Sequence, residues 1–295
     1  MRDFWKLAKE TILEWWNDGI PMIAAGISFY TVFSFAPAFV IAVGIASMFY
    51  GKAAARAEIV NLLHILTGSA APVFESVLEQ AKAGSALATT LGILVSLFGA
   101  TAVFVALQNG LNAAWGVALK PGHDVKMFFR KRLLSFALVL GAGVLVLSSL
   151  MASAVLEAAR RFVEDSFLPL PSALLEVLQF AFSFILITFL FASLFKILPD
   201  VEIGWADVWI GAAGTSLFFT AGKTFLGLYI ARTTLGSVYG AAGSFVLMLV
   251  WIYYSVQIFF LGAEFTQVYA RRHGKPLTPA AHALRITKTY HFGSA

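Results

Sequence analysis

The chain contains no cysteine. That excludes disulfides, thiolate metal centres and a cysteine nucleophile. Charge is almost as scarce: Asp, Glu, Lys and Arg make up 13% of the 295 residues, against roughly 25% in an ordinary soluble domain. Several signatures of catalysis are missing as well. There is no GxxxxGK[ST] phosphate loop, since AGKTF at 221–225 lacks the first glycine. There is no HExxH pair and no GxSxG turn. The five histidines, His64, His123, His273, His282 and His291, fall in expected loops or the tail, outside any clustered His/Asp metal motif. The expectation is a protein that is not an enzyme, with no catalytic residue, metal or cofactor. No heptad array, low-complexity tract or internal repeat is visible.

What is present is apolar sequence, 59% of the residues, gathered into long runs. Six lie near 22–49, 86–117, 133–156, 174–198, 207–231 and 243–270. A bilayer-spanning helix needs ~20 predominantly apolar residues, so the expected fold is all-α: a polytopic membrane bundle of six transmembrane helices. Residues 21–271 form the bundle. Residues 272–295, Pro- and Thr-containing and weakly patterned, are expected to be a flexible tail. Between the first two runs, 53–67 and 71–82 read as short amphipathic helices in an outer loop. Residues 1–20 lack the apolar core of a secretory signal. Phe4, Ala8, Thr11, Ile12 and Trp15 align at helical spacing, Trp5 and Trp16 flank them, and Lys6, Lys9, Glu10 and Glu14 occupy much of the remainder. This predicts an interfacial helix ended by Asn17-Asp18-Gly19 and Pro21.

Charge sets the direction. Fourteen basic residues fall on one side: Arg2, Lys6, Lys9, Lys120, Lys126, Arg130, Lys131, Arg132, Lys196, Arg271, Arg272, Lys275, Arg285 and Lys288. Six fall on the other: Lys52, Arg56, Lys82, Arg160, Arg161 and Arg232. The positive-inside rule then puts both termini in the cytoplasm. It also accounts for the net charge of +5 without a nucleic-acid partner. Membrane lipids are the expected partners; an oligomer is possible but nothing in the sequence points to one.

Polar residues inside apolar runs mark where function would lie. On the last run, Tyr253, Gln257, Glu264 and Gln267 fall within about 40° of one helical line, interrupted by Phe260. On the first, Gly26, Tyr30, Ser34, Pro37 and Gly44 share a side, and Pro37 removes a hydrogen bond to Phe33 and should kink the helix. On the second, Gln108, Asn109 and Asn112 need partners near hydrocarbon. On the fifth, Ser216, Thr220, Lys223 and Gly227 share a face. Counting from the span ends places Lys223 and Glu264 at depths differing by about 10 Å, which argues against a direct ion pair. Tyr30, Ser34, Gln108, Asn112, Lys223, Tyr253, Gln257 and Glu264 are the candidate lining of a substrate path, and Pro37 its hinge. Helix packing and interfacial snorkelling account for the same residues in a structural protein.

Four segments, AAGISFYTVFSFAPAFV, LQNGLNAAWGV, LPDVEIGWADVWIGA at 198–212 and the final SVYGAAGSFVLMLVWIYYSVQIFFLGAEFTQVYA, together resemble the bacterial YihY/BrkB family, over about residues 5–272. The resemblance implies a six-helix protein of the bacterial inner membrane with both termini inside and a virulence-associated label. Some members once carried a ribonuclease annotation, which the lack of a metal-ligand cluster argues against. It also implies, as a proposal for the family, transport or translocation of a lipid-like or amphipathic solute. ATP hydrolysis by this chain is not expected. The alternative is a non-transporting structural or envelope-assembly protein.

Overall fold

The structure, a computed structural model, describes residues 2–33, 35, 102–120, 172–232, 241–272 and 278–286, with isolated positions between 51 and 75. Helix α1 spans Arg2–Asn17 and α2 spans Ile20–Phe33. Helix α3 covers 102–114 and leads into strand β1 (Val117–Leu119). Helix α4 (Ser172–Ile197) is followed by β2 (Val201–Glu202), α5 (Trp205–Arg232) and α6 (Ala241–Arg272). Strands β3 (Thr278–Pro279) and β4 (Ala283–Arg285) lie in the tail.

Helices α4 and α6 contain stretches, Phe180–Ile197 and Phe245–Arg272, long and apolar enough to cross a membrane. Both also turn apolar side chains outward, Phe180 and Ile185 on α4 and Phe245 and Val250 on α6. Such exposure suits a hydrocarbon solvent. The expected runs 22–49 and 86–117 are described only in part. Of the expected helices 53–67 and 71–82 only isolated positions are described, and the run 133–156 and the positions of Ser34, Pro37 and Gly44 lie outside the described residues.

Local chemistry sets the boundaries. Helix α1 ends where Gly19 takes φ +68°, a left-handed conformation that costs glycine little. The Gly19 amide then donates to the Trp16 carbonyl, and Pro21 opens α2 at a position whose N–H would have no helical partner. Gly116, at φ +63°, closes α3 in the same way and turns the chain into β1.

The tightest packing joins α5 and α6, which run antiparallel. Each helix contributes a Gly-x-x-x-Thr element to the contact: Gly211 and Thr215 on α5, Gly262 and Thr266 on α6. A Cβ at Gly211 would fall on Thr266 Oγ1, and one at Gly262 on Thr215 Oγ1. Each threonine hydroxyl donates 2.7 Å back to the glycine carbonyl four residues earlier in its own helix. The hydroxyl is thereby satisfied and the facing backbones can approach closely. Farther along, Gly222 leaves room for the Tyr254 ring. Around this pair the core is aromatic: Phe191 and Phe195 of α4 meet Phe259 of α6, with ring centroids 6.1 Å and 5.1 Å apart. Leu111, Trp115, Val201 and Val208 complete the same cluster.

At this end of the bundle, α1 is bound to α6 by charge. Glu10 accepts from Arg271 and Arg272, with Arg272 Nε at 2.9 Å, and Glu14 accepts from Arg271 at 3.2 Å. Partial burial raises the Glu10 carboxyl, but its hydrogen bonds to Arg272 and Arg271 and their charges outweigh this and hold it below the ordinary carboxylate range. The opposite side of α1 exposes Trp5, Lys9, Ile12 and Trp16.

The tail departs from the sequence expectation of flexibility over residues 278–286. Strand β4 pairs antiparallel with β1, in register Val117 to Arg285 and Leu119 to Ala283. Strand β3 pairs with β2, Val201 to Pro279. The segment is ordered by partners far away in the chain, and strands of two or three residues carry no readable periodicity.

Candidate functional site

Two polar constellations occupy this end of the bundle. The first is built on Asp200, in the turn between α4 and α5. Its side chain is 3% exposed. Asn112 of α3 donates from Nδ2 to Asp200 Oδ2 at 2.8 Å, and the Asp200 amide donates back to Asn112 Oδ1 at 2.8 Å. Gln108, one helical turn earlier, places Nε2 3.3 Å and 3.2 Å from the two carboxylate oxygens. His282 of the tail brings Nε2 to 3.0 Å from Oδ1. The Ala280 amide donates to the Asp200 carbonyl at 3.0 Å. A carboxylate buried this deeply is costly unless hydrogen-bonded, and both oxygens here are supplied from the protein itself. The cluster therefore joins three segments and leaves little capacity for a ligand.

The second constellation is the stripe on α6. Viewed down the helix, Gly262 and Thr266 point towards α5, and Tyr253, Gln257, Glu264 and Gln267 lie on roughly the opposite side. Phe260, within the stripe, identifies the neighbour there. A Cβ at Gly110 of α3 would stand 2.5 Å from Phe260 Cζ and 3.0 Å from Ile23 of α2. The stripe thus faces protein at α2 and α3. Glu264 is 1% exposed. Gln257 Oε1 and Gln267 Oε1 are buried acceptors without a hydrogen-bond partner among the described residues, a state that costs roughly 1–3 kcal/mol for each group.

The other predicted residues divide. Gln108 and Asn112 are spent on Asp200, and Asn109 is exposed. Tyr30 lies off the buried face of α2, 38% exposed and edge-on to Phe29. Lys223 is half-buried. The α5–α6 register, 211 with 266 and 215 with 262, sets Lys223 level with Tyr254. That is ten residues along α6 from Glu264, or ~15 Å, farther apart than the sequence count implied.

Sequence reasoning passed over Asp200, His282 and the two Gly-x-x-x-Thr elements. The last had a signal, the same four-residue Gly-to-Thr spacing in two adjacent spans. Asp200 had only its place within LPDVEIGWADVWIGA. Among the described residues no group of three or more His, Asp or Glu could hold a metal.

A family model described as Virulence factor BrkB matches residues 11–287. Relatives named UPF0761 membrane protein include one from Delftia acidovorans, 28% identical over 274 residues, covering 89% of this chain and 62% of the relative. One from Ralstonia nicotianae is 25% identical over 250 residues, covering 84% and 55%. One from Tolumonas auensis is 23% identical over 256 residues, covering 85% and 81%. The chain spans little more than half of the length of several of these relatives. No solved structure matches it.

Proposed function

Because the chain belongs to the BrkB family of membrane proteins, we propose that it is an inner-membrane translocator of a lipid-like or amphipathic solute, working without ATP hydrolysis of its own. Its six apolar runs are the spans, and the end bearing α1, Asp200 and the tail faces the cytoplasm, where the basic residues concentrate. The single observation that carries the reading is Glu264, 1% exposed on a stripe turned towards α2 and α3. An ionisable side chain inside a membrane protein is expensive and is retained mainly on pathways or in pairs. The neighbouring amide oxygens of Gln257 and Gln267 extend the same line of acceptors.

In this reading Glu264 takes up a proton or meets a cationic group, Gln257 and Tyr253 extend the path away from the tail end, and Lys223 attracts an anionic headgroup from the far side. The experiment is flux of a fluorescent amphiphile in vesicles holding purified, correctly inserted protein. Glu264→Gln should slow it by about tenfold or more, the scale of one lost charge-assisted interaction. Wild-type flux in that variant rejects the role.

A structural reading has one observation in its favour. Gln108 and Asn112, proposed as path residues from sequence, both donate to Asp200. Protein that moves no amphiphile, yet keeps the same fold, would favour that alternative.

A further inference from the structure

Helix α3 stands between the two constellations. Its Gly110 side is pressed on Phe260, in the middle of the α6 stripe. Gln108 and Asn112, on the opposite side of the same helix, are held by Asp200. The tail bridges the same two bodies from outside: β4 pairs with β1, which continues α3, and β3 pairs with β2, which continues the Asp200 turn. His282 lies between these strands and reaches Asp200.

From this arrangement we infer that α3 is the inner gate of the Glu264 stripe, that Asp200 is the positioning residue holding it shut, and that tail residues 278–286 are its bolt. The inference rests on the translocator reading and adds the regulation of that site. Its physical basis is a difference in local stability. The two sheets are only two and three residues long and Leu284 and Arg285 are exposed, so this segment opens at lower free energy than the aromatic core. When it opens, His282 leaves Asp200 and water reaches the carboxylate. Gln108 and Asn112 then exchange their protein acceptor for water at little cost, whereas with the tail in place they would be left unpaired in a buried site. Removal of the tail therefore weakens the hold on α3, and α3 is the helix that covers Phe260 and the stripe beside it.

Because the chain lacks cysteine, the gate can be read by thiol labelling. Gln257→Cys places one thiol on the stripe, about two turns beyond Glu264 as seen from the tail end. In vesicles exposing the tail side, its reaction with a membrane-impermeant maleimide is timed alone and combined with Asp200→Ala, His282→Ala or Lys9→Ala. Labelling should accelerate about tenfold with Asp200→Ala and about threefold with His282→Ala, where one tie is lost. It should stay at the parent rate with Lys9→Ala, an exposed residue of α1. A thiol at buried Leu247 should keep its parent rate throughout; equal acceleration there means general loosening and overturns the gate. Unchanged labelling in folded His282→Ala and Asp200→Ala proteins also overturns it, and His282→Ala decides alone if Asp200→Ala fails to fold. Amphiphile flux in vesicles whose protein keeps Gln257, with and without the Asp200 and His282 substitutions, separates the two ideas. Faster labelling without any flux rejects translocation and leaves the gate, and flux with unchanged labelling does the reverse.

Discussion

Asn112 and Asp200 hold each other twice: the Asn112 amide donates to the carboxylate and the Asp200 backbone amide donates to the Asn112 oxygen, each at 2.8 Å. This exchange fixes which way the Asn112 amide points and locks a helix end to a turn 88 residues later. It also ranks the substitutions. Asp200→Ala leaves Asn112, Gln108 and His282 without their common acceptor and should cost about 3 kcal/mol, the scale of a broken buried network. Asn112→Ala should approach that value, and Gln108→Ala should fall well below it because its contacts are longer. Thermal midpoints of the three variants in one detergent test the order. Equal midpoints for Gln108→Ala and Asp200→Ala would contradict it.

The paired Gly-x-x-x-Thr elements give a steric prediction. Gly262→Ala and Gly211→Ala each place a methyl on a threonine hydroxyl and should destabilise by about 1–3 kcal/mol, the usual scale of overpacking. Among the described residues, Gly214 and Gly26 meet nothing within 4 Å. Alanine there should be tolerated or slightly stabilising, since it lowers the helix cost of glycine by up to ~1 kcal/mol. Folded yield and thermal midpoint across the four variants separate the two classes.

The Glu10 cluster predicts an acid-sensitive α1. Its carboxyl is held below the ordinary value, so the contribution is complete at neutral pH and vanishes as pH falls through that lowered value, beneath the usual ~4.3. The pairs are partly exposed, and each is worth roughly 0.2–1 kcal/mol. Glu10→Gln should therefore lower the midpoint by a few degrees at pH 7, a difference that shrinks as pH is taken down below the usual carboxylate range. An offset that stays constant down the whole acid series would show that the residue acts through packing instead of charge.

The orientation predicts that a thiol placed at Ala281, which is exposed, reacts with an impermeant reagent only after cells are permeabilised. Reaction in intact cells would invert the topology.

How much of this was readable in advance follows the range of the interactions. The ranges of α4, α5 and α6 follow from long, predominantly apolar runs and from Arg271-Arg272, all local signals. The α6 stripe was visible because its residues repeat at helical spacing; which helices it faces could not be read from the sequence and comes from the contact of Phe260 with Gly110. Asp200 and His282 were not, because a lone acid in a turn and a histidine in a polar tail are ordinary, and only contacts across 82 to 92 residues make them partners. The same distance hid the tail strands. Lys223 was set too close to Glu264 because span ends were counted in place of a packing register, which Gly211 and Gly262 supply.

The Asp200 cluster has a consequence for biogenesis. Residues 278–286 follow α1 to α6 in the chain, so His282 and strands β3 and β4 can reach Asp200, β2 and β1 only after those partners have been made. A chain truncated before Thr278 keeps Asn112 and Gln108 on Asp200 and lacks the contacts that close over them. Such a chain should be degraded faster in cells than the longer one.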